Sequence, residues 1–67
     1  MQLSARNKIP GEVKAIKLGA ILAEVTIDIG GNEIAAIITK SSAESLDLKV
    51  GDSVFAVIKA TEVMVGK

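Results

Sequence analysis

The chain has 67 residues, with no cysteine and no histidine, and its eight basic and eight acidic residues leave no formal net charge. These counts exclude a disulfide framework, a thiolate or imidazole metal site, and the usual imidazole general base. They also argue against DNA or RNA as a partner held by overall field, which needs an excess of Lys and Arg.

In chain order, the polar start Ser4-Ala5-Arg6-Asn7 holds the only arginine, and Pro10-Gly11 follows as a turn signal. A short strand is expected from Glu12 to Gly19. From Ala20 to Gly30 the pattern is stricter: Ile21, Ala23, Val25, Ile27 and Ile29 share one face, while Leu22, Glu24, Thr26 and Asp28 share the other. Alternation with β-branched residues means a half-buried strand. Gly30-Gly31-Asn32 accepts positive φ, so a tight hairpin follows. The return strand, Glu33 to Thr39, is apolar on both faces, as expected if one face meets the core and the other a second subunit.

Ser41 to Leu48 reads as a short helix, with Ser41 and Glu44 spaced as a capping box. Lys49-Val50-Gly51-Asp52 forms a turn, and strands are expected at Ser53 to Ala60 and Glu62 to Val65. Strand, strand, strand, helix, strand, strand over residues 1–67 predicts one all-β domain: a small five-stranded OB-like Greek-key barrel, with its helix between strands 3 and 4.

Hydrophobic residues make up 49% of the chain, almost all Ile, Val, Leu and Ala. A domain below roughly 70–80 residues often needs disulfides, a metal or oligomerisation to hold its core. With the first two unavailable, a homo-oligomer is expected. The longest apolar run, Ile34 to Ile38, falls far short of the roughly 18 residues of a membrane span. No signal peptide is evident, so a cytoplasmic location is expected.

Few chemistries fit what remains. Single-strand binding by an OB barrel needs aromatic platforms, and Phe55 is the lone aromatic, in a strand where core packing is expected. Lys59 beside Thr61, and Glu24 with Asp28, read as solvated charges rather than catalytic pairs, so no enzyme is expected. The acids are too dispersed for a metal site. Three donor clusters are left: Ser4-Ala5-Arg6-Asn7, Thr39-Lys40-Ser41-Ser42 and Lys59-Ala60-Thr61. Hydroxyls, cations and backbone N–H groups without acidic neighbours suit a tetrahedral oxyanion. Ser41 or Ser42 equally serves as a helix cap, and Arg6 and Lys59 equally serve as surface charges.

The "SARN" start, the "GGN" hairpin, the "LKVGDSVFAVIKATEVM" ending and the length together resemble the molybdenum-pterin-binding (Mop) family, the small molbindins, whose module recurs as the TOBE domain. The resemblance covers essentially the whole chain. It implies a hexamer, a trimer of dimers, that binds molybdate or tungstate between subunits, with no organic cofactor. It implies contacts from Ser4, Ala5 and Arg6 of one chain and from Thr39, Ser42, Lys59 and Ala60 of a neighbour. Relatives often carry Ser at the position of Ala60, where this chain offers only its backbone N–H. A second kind of site, largely main chain near a three-fold axis, is also implied. The function implied is storage or buffering of the oxyanion; the alternative is a regulatory or accessory module that recognises another protein.

Overall fold

A computed structural model describes residues 4–67. Its elements are β1 (Asn7–Leu18), β2 (Leu22–Asp28), β3 (Glu33–Thr39), α1 (Lys40–Ser45) and β4 (Ser53–Ile58), followed by a 3-10 turn at Ala60–Glu62. The four strands form one antiparallel sheet in the order β3-β2-β1-β4. Curled on itself, this sheet is a half-barrel, with α1 against β2 and β3.

Period-2 alternation decides which side chains are inside. Val13, Val25, Ile27 and Ala56 are the buried cluster, flanked by Ile9, Ile16, Ile34, Ala36, Ile38, Leu48 and Val54. Ala23 and Ala43 are buried as well, and no polar or charged residue is buried among those described. The outward residues of β3, Ala35 and Ile37, are exposed as expected for a strand apolar on both faces. Ile21, expected on the inner face, precedes β2 and is 75% exposed.

The hairpin expected at Gly30-Gly31 is present. Both glycines have positive φ, +85° and +97°. Ile29 N–H donates to the Asn32 carbonyl at 2.7 Å, and Gly31 N–H donates to Asp28 Oδ1 at 2.9 Å. The turn before β4 is likewise present, with Gly51 at φ +97° and Lys49 N–H donating to Asp52 Oδ2 at 2.9 Å.

Pro10-Gly11 is not a turn. Both residues lie inside β1, whose first half pairs with β4 and whose second half pairs with β2. With one side of β1 open there, a residue lacking an N–H is tolerated. Gly11 is needed for closeness: a Cβ there would stand 2.6 Å from both the Asp28 carbonyl oxygen and Ile27 Cγ2.

The helix is shorter than expected and is capped differently. Thr39, not Ser41 or Ser42, is the N-cap, so Glu44 lies too far along to close a capping box. Phe55 is 56% exposed, because Val54, Ala56 and Ile58 take the inward positions of β4. The fifth strand is not seen. Residues 60–62 form the 3-10 turn; Val63 has extended dihedrals, and 63–67 carry no regular structure and no ladder partner. Strand propensity in Val63-Met64-Val65 makes a strand only where an edge pairs with it.

Candidate oxyanion-binding site

Ser4, Ala5 and Arg6 lead directly into β1, and Lys59 and Ala60 directly follow β4. Asn7 and Ile58 are the last pair of the antiparallel register, so Arg6 and Lys59, each the next residue beyond that pair, leave the ladder at the same end. The fold therefore brings the chain's sole guanidinium and one ammonium to one end of the β1–β4 ribbon. Both residues are exposed, as are Ser4 and Ala60, and Ala5 is half-buried.

Like charges brought to one end of a ribbon repel each other. Among the described residues the one ion pair is Lys49 with Asp47, at 3.3 Å, so no carboxylate matches Arg6 or Lys59. Backbone N–H groups add to these donors, since residues 4–6 lie outside the ladder. This end of the molecule is a concentration of donors with no carboxylate ion-paired to them.

The remaining donors lie elsewhere. Thr39 ends β3 and pairs with Leu22, while Ala23, the next residue of β2, pairs with Leu18 at the far end of β1. A strand the length of β1 has a contour of roughly 36 Å, and the molecule measures 34 × 26 × 23 Å. Thr39 and Ser42 thus sit at the opposite end of β1 from Arg6 and Lys59. Within one chain the candidate residues form two separate sets.

The second set has its own internal order. Ser42 N–H donates to Thr39 Oγ1 at 3.1 Å, and the Thr39 hydroxyl donates to Ser42 Oγ at 2.7 Å. Ser41 Oγ lies 3.3 Å from Thr39 Oγ1. The Thr39 proton is therefore committed, whereas Ser42 accepts and keeps its own proton for an outside acceptor. Reading hydroxyls off the sequence missed this division of labour; its signal was a Thr three residues before a Ser at a helix start.

An apolar concavity lies in a different place. A trough of about 470 Å³ opens between β3 and β4, lined by Val13, Ile27, Ile34, Ile38, Val54 and Ala56 among others. An oxyanion there would lose its hydration without gaining donors. No group of three or more Asp or Glu among the described residues is arranged to hold a metal ion. No helix of the described chain is long and apolar enough to cross a membrane.

Residues 3–65 match the family model of the TOBE domain. The chain is 48% identical over 66 residues to molybdenum-pterin-binding protein 1 of Clostridium pasteurianum, covering 97% of each. Its fold matches the molybdate-binding protein from Sporomusa ovata with a TM-score of 0.95 at 45% identity, over 100% of both chains. It also matches the cytoplasmic molybdate-binding protein ModG in a molybdate-bound form, with a TM-score of 0.84 at 51% identity, over 90% of this chain and 43% of that one.

Proposed function

The chain belongs to the TOBE-domain family, a family of binding proteins rather than enzymes, with molybdenum-pterin-binding (Mop) proteins among its relatives, and on that premise we propose that residues 1–67 act as one oxyanion-binding domain storing or buffering molybdate. Tungstate, a tetrahedral dianion of the same kind, is a ligand of the same site. The observation that carries this reading is the unmatched Arg6 and Lys59 at one end of the β1–β4 ribbon.

The two cations balance a dianion, and charge-assisted hydrogen bonds are roughly twice as strong as neutral ones. The end of one copy that carries Ser4, Ala5, Arg6, Lys59 and Ala60 faces the anion from one side, Ala60 through its backbone N–H. Thr39 and Ser42 of a neighbour complete it, Thr39 by orienting Ser42; the expected division, with Lys59 and Ala60 on the same side as Thr39, does not fit two sets at opposite ends of β1. Sharing between copies is supported by the separation of the two donor sets along β1, which leaves either set incomplete by itself. The assembly is a homo-oligomer, a hexamer built as a trimer of dimers, acting in the cytoplasm.

A site with donors but no carboxylate acceptor also selects. Phosphate near neutral pH keeps a proton whose O–H would be buried unpaired, at a cost of about 1–3 kcal/mol. Molybdate and sulfate carry no such proton, so sulfate is turned away only by its smaller size.

The test is calorimetric titration of sized protein with molybdate, tungstate, sulfate and phosphate. Saturable molybdate and tungstate binding with phosphate silent is the expected result. No heat with any anion, from protein that still assembles, would overturn the reading in favour of a regulatory or accessory module that recognises another protein.

A further inference from the structure

We infer that Ile21 is a positioning residue of the oxyanion site, acting through its main-chain carbonyl on the first turn of α1. The inference rests on the role proposed above for Ser42 as a donor to the anion.

Six residues are too few for a helix to hold itself in water, so α1 depends on what anchors it. Thr39 caps the helix from within and fixes Ser42 only relative to Thr39 itself. A main-chain anchor to another part of the fold is the Lys40 N–H, which donates to the Ile21 carbonyl at 2.7 Å. That bond carries the β2–β3 pairing one step past its last pair, Leu22 with Thr39. It also satisfies one of the N–H groups that a helix start leaves without an internal partner. Ser42 follows two residues on, so where its hydroxyl stands depends on where the Ile21 carbonyl points.

The Ile21 side chain contributes little burial, being 75% exposed. Its contribution is stiffness. Gly19 N–H donates to the Leu22 carbonyl at 2.8 Å, closing the β1–β2 turn over Ala20 and Ile21, and neither of these two has a positive φ. The commonest two-residue hairpin turns need positive φ, which a β-branched residue resists. Ile21 therefore keeps the turn in its negative-φ form, the one that aims its carbonyl at Lys40. A glycine at this position would open type I′ and type II turns, both with positive φ at the second central residue. Either turn rotates the carbonyl away and releases the start of α1.

The experiment measures molybdate affinity by calorimetry and Lys40 amide exchange by NMR, in the wild-type chain and in Ile21→Gly, Ile21→Val and Ile21→Thr. Ile21→Gly should lower affinity roughly 3- to 10-fold, the worth of one hydrogen bond, and open the Lys40 amide to exchange. Ile21→Val and Ile21→Thr, both β-branched, should stay within about twofold of wild-type affinity and keep that amide protected. In a Ser42→Ala background the Ile21→Gly loss should vanish, because the donor it positions is gone. In the wild type, saturating molybdate should slow Lys40 exchange by the same roughly 3- to 10-fold, since coupling is reciprocal.

A loss that persists in the Ser42→Ala background, or one shared by Ile21→Thr, would overturn the inference in favour of a general structural role or an apolar contact of the side chain. Wild-type affinity in a folded Ile21→Gly protein would also overturn it, and would leave the proposed function standing. Lys40 exchange unchanged by molybdate in the wild type would overturn it whether or not the glycine variant folds. No molybdate binding by the wild-type chain would overturn both readings.

Discussion

Thr39 Oγ1 accepts the Ser42 backbone N–H at 3.1 Å and its hydroxyl donates to Ser42 Oγ at 2.7 Å, so a single side chain caps α1 and leaves the Ser42 proton unused by Thr39. Removing either residue should therefore weaken anion binding, but by different routes. Ser42→Ala deletes the donor and should lower molybdate affinity roughly 10- to 100-fold, the equivalent of about 1.5–3 kcal/mol for a hydrogen bond to a charged group. Thr39→Val should lower it similarly and also cost about 1 kcal/mol of stability through the lost cap. In the Ser42→Ala background, Thr39→Val should bring no further loss of affinity, whereas an equal loss in both backgrounds would mean that Thr39 touches the anion itself.

Arg6 and Lys59 follow a simpler logic, since each offers charge to the anion and neither is engaged by a carboxylate. Arg6→Ala and Lys59→Ala should each weaken molybdate binding roughly 10- to 100-fold, about 1.5–3 kcal/mol per charged hydrogen bond. Assembly mass should not change. Lys8→Ala, on the exposed face of β1, is the control and should shift affinity less than about threefold at 0.15 M salt, where the screening length is about 8 Å. Equal losses in all three variants would reduce the site to a diffuse field.

Anion competition at varied pH checks the missing acceptor. Phosphate should fail to displace molybdate at pH 7.5 and still fail at pH 6, where it holds more protons. Sulfate at high concentration should displace some molybdate at either pH. Effective competition by phosphate would require an acceptor at the site, with Glu62, two residues past Ala60, the first carboxylate to remove.

Gly11 offers a test of the fold itself. Gly11→Ala drives a Cβ to 2.6 Å from the Asp28 carbonyl oxygen and should cost about 1–3 kcal/mol or more, as overpacking does. Gly30→Ala meets nothing within 4 Å and carries only the strain of φ +85°, so about 1–2 kcal/mol is expected. Urea unfolding should rank the two in that order, and the reverse order would mean that β1 shifts away from β2 at little cost.

The pattern from Ala23 to Ile27 was legible because a strand's two faces are set by a period of 2, whatever surrounds it. Gly30 and Gly31 were legible because few other residues accept the φ they adopt. Phe55 was misplaced since its neighbours are apolar on both sides; parity alone decides, and β4's parity is settled by pairing Pro10 with Phe55 and Ile9 with Ala56. Pro10-Gly11 was misread for a related reason. A turn and a change of strand partner both call for those residue types, and the register distinguishes them.

The cap shows the same limit at the scale of one turn. Thr39, Ser41 and Ser42 are all good caps, and the one that serves is the one at which β3 ends, which depends on the reach of β2 beside it.

By itself the sequence determined the inventory: alternating Ile, Val and Ala able to form strands, glycines at the turns, three runs of donors, and no thiol or imidazole chemistry. These are local properties, carried by residue type and spacing. Only the tertiary structure decided where the donors meet. Antiparallel pairing of Asn7 with Ile58 puts Arg6 and Lys59 at one end, and the β1–β2–β3 meander carries Thr39 and Ser42 to the other. Strand order likewise leaves β3 and β4 with open edges. Register and strand order arise from contacts between residues far apart in the chain, and it is these that leave one copy with a divided set of donors.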